Sequence, residues 1–206
     1  MRTSTSLYKL LNLERMRISP FEVMLEASGV SQGPKDLLVE LAHLSFAIEH
    51  AMNSRTVLDP LSFDEETLCI QSDLLNLATT SEAGLDSACE LGGLIYLQTL
   101  TRPAPFVKSS SEALSTELKF SLQHVTIANV TCPLLFWLLV MGGMVSSETS
   151  ERDWFRSKLR DLQVSWKSMI TWESMKIQLM SVMWIDRVHD GFGQALWEDV
   201  LPSAAI

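Results

Sequence analysis

CPLLFWLLVMGGM, residues Cys132 to Met144, is the stretch whose reading decides the fold. It has a proline near its start, two glycines near its end and almost nothing polar between them. Proline suits the first turn of a helix, where its missing N–H would find no intrahelical partner, so a helix is expected to start at Pro133. Gly142 and Gly143 are expected to supply the left-handed conformations that commonly close a helix. From Leu134 to Met141 every residue is apolar, which leaves no polar face. A helix apolar all round has to be covered on every side, by lipid or by other helices. Crossing a bilayer takes about 20 apolar residues, and this run is too short. It reads as the central buried helix of an all-α globular domain.

The flanking segments read as its cover. Pro34 and Asp36 open a helix carrying Leu37, Leu41, Leu44 and Ile48, predicted to reach about Met52. Ser62-x-x-Glu65 has the form of a capping box, ahead of a helix to about Leu77. Leu85, Ala88, Leu91 and Ile95 mark another helix, broken by Pro103. Gly92 and Gly93 inside it weaken it by about 1 kcal/mol each relative to alanine, which close approach of a neighbouring helix would offset. Ser109-x-x-Glu112 repeats the capping pattern before Leu114, Leu118, Leu122 and Val125.

Beyond the central run, Ser150-x-x-Asp153 leads into a helix with Phe155, Leu159 and Leu162 on one face and Arg152, Arg156 and Arg160 on another. Thr171 is expected to cap a helix through Met175, Leu179 and Val182 to about Ile185. His189-Asp190-Gly191 reads as a turn, and Gln194 to Val200 as a last short helix. Ser6 to Met16 and Phe21 to Ala27 read as two short helical stretches at the start. No segment sustains period-two alternation, so no sheet is expected. Eight or nine helices joined by short loops give one all-α domain of antiparallel neighbours. A soft boundary near Asn53–Ser62 separates an N-terminal helical part, 1–58, from a helical core, 59–206.

Composition excludes several classes. With 47% hydrophobic residues in 206, the chain is not a disordered one. A formal charge of −9 argues against direct nucleic-acid binding, which draws most of its affinity from phosphate neutralisation. Three scattered cysteines, Cys69, Cys89 and Cys132, fit a reducing compartment and no disulfide framework. The first twenty residues lack the apolar core of a secretory signal. They carry Arg2, Lys9, Arg15 and Arg17 against Glu14, a balance that a mitochondrial presequence shares with an ordinary amphipathic helix. No membrane span is expected, and the chain reads as soluble and intracellular.

Reactive constellations are sparse. His43 and His50 stand seven apart, two turns along one helix face, too few for a metal site. Cys89 and Cys132 sit in apolar helices, where a thiol is expected to act as a small buried hydrophobe. His189 and Asp190 are neighbours in sequence and so poorly placed to face each other as a dyad. No phosphate-binding glycine loop is present. The expectation is therefore a non-enzyme without catalytic residues, cofactor or metal. Arg152, Arg156 and Arg160 read as a solvated face held by Glu151, Asp153 and Asp161, with contact to an acidic partner as the alternative. Five of the six tryptophans follow the central run; most are expected in the core, with one or two lining a groove. ALWEDVL (Ala195 to Leu201) mixes acids with bulky apolar residues as activation peptides do, but reads rather as a docked terminal helix.

Three blocks carry a family resemblance: ACELGGLIYLQTLTRPAP (Ala88 to Pro105), PLLFWLLVMGGM (Pro133 to Met144) with ERDWF (Glu151 to Phe155), and WESMKIQLMSVMWIDRVHDGFGQALWEDV (Trp172 to Val200). Their order and spacing resemble the C-terminal regulatory region of fungal-specific transcription factors, the zinc binuclear cluster family. The resemblance covers Leu85 to Val200 and thins out before Asp59. It implies an all-helical regulatory domain of a nuclear transcription regulator, with protein partners and a small-molecule effector as a further option. It also implies a six-cysteine DNA-binding cluster upstream, and none of this chain's cysteines matches that motif. The expectation is a regulatory, protein-interaction domain without its own DNA-binding module, from either a shortened gene product or a stand-alone relative. The alternative is a stand-alone helical sensor or scaffold with no transcriptional role. Oligomeric state is left open.

Overall fold

A computed structural model describes residues 20–101, 108–125, 130–146, 150–165 and 171–201. The described residues are helices and connections, with no strand among them. Helix α1 covers 20–27. It is followed by α2 (Gln32–Ser54), α3 (Pro60–Ala78), α4 (Leu85–Thr101), α5 (Lys108–Gln123), α6 (Cys132–Val145), α7 (Ser150–Ser165), α8 (Trp172–Met180) and α9 (Asp186–Val200). The basic stretch with its Ser6–Met16 helix, the Pro103 break and Trp166 lie outside the described residues.

Helix α6 is the run that the sequence singles out. Every residue from Leu134 to Val145 is buried, and Trp137 and Leu138 are both 0% exposed. The cover comes from five helices, α4, α5, α7, α8 and α9. Burying a side chain of this size stabilises by about 1.5–3 kcal/mol, and α6 adds such side chains to the core along its whole covered length. The core is a single cluster, from Phe21 and Leu25 of α1 to Val200 of α9. The 1–58 part contributes Leu38, Leu41 and Leu44 of α2 to it. The Ser28 hydroxyl, which closes α1, accepts the Thr131 N–H at 3.1 Å and so ties α1 to the start of α6.

Several local expectations are corrected. Gly142 and Gly143 do not close α6; the helix runs through both to Val145. Among the described glycines only Gly29 has positive φ. What the pair supplies is the absence of a side chain. A Cβ on Gly142 would enter the Phe155 ring, and one on Gly143 would stand 2.7 Å from Leu196. Gly92 on α4 likewise leaves room for Leu138 and Trp137, as the sequence reading expects of that pair.

Helix α3 begins three residues before the supposed Ser62 box. Asp59 is its N-cap and Pro60 follows, so the Ser62 N–H and hydroxyl donate to the Asp59 carboxylate at 3.0 and 2.7 Å. Helices α5 and α7 start at Lys108 and Ser150, within a residue of where the Ser109 and Ser150 patterns place them. Thr171 does cap α8, in a reciprocal box with Ser174. That helix stops at Met180, not Ile185. Residues 183–185 are non-helical and buried, and the Met183 carbonyl accepts the Trp137 indole N–H at 2.8 Å. His189, Asp190 and Gly191 are not a turn; they lie within α9, which starts at Asp186.

The glycine contacts give a direct test. Gly142→Ala adds about 1 kcal/mol of helix propensity but drives a methyl into a ring that is 0% exposed and has nowhere to go. Overpacking outweighs propensity, so a net loss of about 1–2 kcal/mol is expected in urea unfolding. The same change made in a Phe155→Leu background should lose little or gain.

Candidate functional site

Helix α9 is held in place by polar groups drawn from α2, α4, α7 and α8. Arg152, Arg156 and Arg160 recur every four residues on α7 and so project from one face. That face meets the C-terminal turn of α9. Arg152 donates to the Asp199 carboxylate at 2.7 Å, and its other amino group reaches the Gly143 and Ser146 carbonyls at the end of α6. Arg156 donates to the Asp199 carbonyl at 2.9 Å and to the Asp153 carboxylate at 3.2 Å. Arg160 donates from Nε to the Val200 carbonyl at 3.2 Å. The last carbonyls of a helix lack intrahelical donors and carry the negative end of its dipole. Arg156 and Arg160 satisfy those of Asp199 and Val200. Of the acids expected to hold the row, Asp153 pairs with Arg156; Asp161 pairs with Lys158 and Glu151 with Lys119.

The start of α9 is fixed from inside. His189 is fully buried, its ring stacked on Tyr96 and tilted against Trp184, both at centroid distances of 4.9 Å. The Ile185 N–H donates to Nδ1 at 3.0 Å, so the ring proton sits on Nε2. Nε2–H faces the Thr99 hydroxyl at 2.7 Å, which in turn donates to the Tyr96 carbonyl at 2.6 Å. Asp190 turns the other way. Its carboxylate accepts the Trp184 indole N–H and a Lys176 proton, each at 2.7 Å, while Lys176 also reaches Asp186. The two neighbours therefore face apart and form no dyad. Gly193 completes the packing, since a Cβ there would stand 2.6 Å from the Trp184 ring.

Other chemistry-bearing side chains are equally enclosed or scattered. Cys89 is fully buried and burial pushes its thiol far above the ordinary range. Cys132 is exposed, contrary to expectation, because it occupies the first residue of α6, ahead of the covered run. Cys69 is exposed on α3. Glu90 is buried on α4, its carboxyl raised by burial and held by the Ser81 hydroxyl at 2.8 Å. Among the described residues no three His, Cys, Asp or Glu side chains come together as a metal site. No described helix is long and apolar enough to cross a membrane.

Two shallow grooves of about 340 Å³ open on the surface. One lies over α4 between α3 and α5, with Leu75, Leu94, Leu97 and Leu114 along it. The other lies between α5, α6 and α7, lined by Leu135, Leu139, Trp154 and Leu162 with Lys158 and Asp161 at its edge.

The sequence pattern of the fungal specific transcription factor domain matches residues 26–199, from the end of α1 to the last turn of α9. The chain belongs to that family. No curated protein and no solved structure matches it. The match reaches further upstream than the blocks that carry the resemblance, and takes in α2 and α3 whole.

Within this fungal transcription factor domain, sequence reasoning found the arginine row but not what it grips. Periodicity places three arginines on one face; it says nothing of which backbone comes to meet them. It missed His189 as a core residue, because Asp-Gly after histidine imitates a turn signal. The neighbouring Trp184 and Trp197, both buried, were the available hint that this stretch faces inward.

Burial holds the His189 imidazole down to about 4, against an ordinary 6.5. The unfolded chain takes up a proton below about 6.5 that the folded one refuses, so stability falls as pH drops from there towards 4. The loss expected at pH 4 is about 3 kcal/mol. Urea titrations from pH 7 to 4 should show it, and His189→Gln should flatten that part of the profile. For the arginine row, Arg152→Ala with Arg156→Ala should cost about 1–2 kcal/mol and speed amide exchange at 196–200 first.

Proposed function

We propose that this chain is the regulatory, protein-interaction part of a nuclear transcription regulator. It acts through contacts with other protein surfaces rather than by reading DNA itself. The family match over residues 26–199 carries this reading. The charge supports it: an overall −9 repels phosphate and favours basic or apolar partners. The disposition of polar groups supports it too, since His189, Asp190, Cys89 and the arginines serve the chain's own packing, which favours a non-enzymatic role. Arg152 and Arg156 keep about a fifth and a third of their side-chain surface. An acidic segment of a partner would compete there with the C-terminal turn of α9.

A second reading, a sensor for a small molecule, rests on the groove beside Trp154, whose volume falls in the range of ligand pockets. The two readings separate in one experiment. Fused to an unrelated DNA-binding module in fungal cells, the regulatory domain should concentrate in the nucleus and change reporter output at least threefold. The Gly142→Ala variant, which loosens the core, should weaken the effect. A folded fusion that leaves the reporter unchanged would remove the regulatory reading. The sensor reading predicts an effect of Trp154→Ala on thermal stabilisation by apolar acids, independent of the reporter.

A further inference from the structure

Helix α3 turns only part of its surface inward, burying Thr67, Ile70 and Leu74. On its outer side Leu61, Leu68 and Leu75 recur every seven residues, 61%, 64% and 43% exposed. Seven residues are close to two turns, so the three leucines form one row along the helix. At its end the row runs into the groove over α4, where Leu75 joins Leu94, Leu97 and Leu114. An exposed row of large apolar side chains that runs into an apolar groove marks a contact surface.

Charge narrows the occupant. Helix α3 carries Asp64, Glu65, Glu66 and Asp73 and no lysine or arginine. Glu117 stands on the far wall of the groove. Along the other edge, burial and then Asp73 and Asp36 raise the Glu40 carboxyl, and burial and Glu40 raise Glu66. The field over this side of the molecule is therefore negative. A second copy laid symmetrically on the row would bring α3 carboxylates against their own kind. A basic amphipathic segment fits instead.

The chain contains one. Residues 1–19 hold Arg2, Lys9, Arg15 and Arg17 against the single acid Glu14, with Leu7, Leu10 and Leu11 at helical spacing. Nineteen residues can span up to about 60 Å, and tethering gives the segment an effective concentration near the millimolar range. We propose that residues 1–19 dock in cis on the outer face of α3, their leucines against the Leu61–Leu68–Leu75 row and their basic side chains against its flanking carboxylates. The face is then closed to other proteins until the segment is displaced. This inference stands or falls independently of the transcriptional reading.

The test uses the full chain. Amides of residues 7–17 should exchange at least tenfold more slowly than in a free peptide of the same sequence. Two variants should abolish the slowing while the far-UV spectrum stays unchanged: Leu61→Ser with Leu68→Ser and Leu75→Ser, and Arg15→Glu with Arg17→Glu. Cys69, exposed beside Leu68, supplies an independent probe. In a Cys132→Ser background, Leu11→Cys should form a disulfide with Cys69 within one chain. Exchange equal to the free peptide, slowing that survives loss of the leucine row, or a cross-link found only between two chains would each overturn the proposal.

Discussion

Helix α6 has no face that tolerates water, and that constraint organises the molecule. Fourteen residues with a fully apolar middle cannot lie at a surface and cannot span a bilayer. Each side must be met by another apolar face, and five helices do so. The one polar atom deep in the run, the Trp137 indole nitrogen, is answered by the Met183 carbonyl. That carbonyl belongs to the non-helical link between α8 and α9, where it is turned towards the indole. The interior of α6 is thus tied directly to the link that joins α8 to α9.

Close approach is the second theme. Gly92 on α4, Gly142 and Gly143 on α6 and Gly193 on α9 meet aromatic rings or leucine methyls from a neighbouring element, and at each of these four a side chain would collide. Helix propensity is given up at these positions in return for contact. The outcome is a C-terminal half in which α6, α7 and α9 interlock: Phe155 sits on Gly142, Leu196 on Gly143, and Trp184 on Gly193.

How much of this was legible follows from what each signal measures. Helical spacing of apolar residues reports one side of a helix, so α2, α4, α5 and α7 were readable, as was the buried state of Trp137. Capping patterns report short-range hydrogen bonds; Thr171 was correctly read, whereas at Ser62 the stronger acceptor, Asp59, stood just upstream. Glycine patterns were ambiguous: Gly142–Gly143 suits both chain reversal and tight packing, and the Phe155 and Leu196 side chains decide for packing, whereas Gly191 lies in α9 with open space around it. Which distant backbone an arginine reaches leaves no mark on local sequence.

The grip of α7 on α9 falls largely on main-chain oxygens: Arg156 and Arg160 hold the carbonyls of Asp199 and Val200. Every amino acid offers that same oxygen. Relatives are thus free to redraw the outward residues of their terminal helix, at positions such as Glu198, while keeping the attachment, provided the three arginines and the inward Leu196 and Val200 persist. Divergence on that outer surface, from one regulator to the next, would leave the architecture beneath it intact.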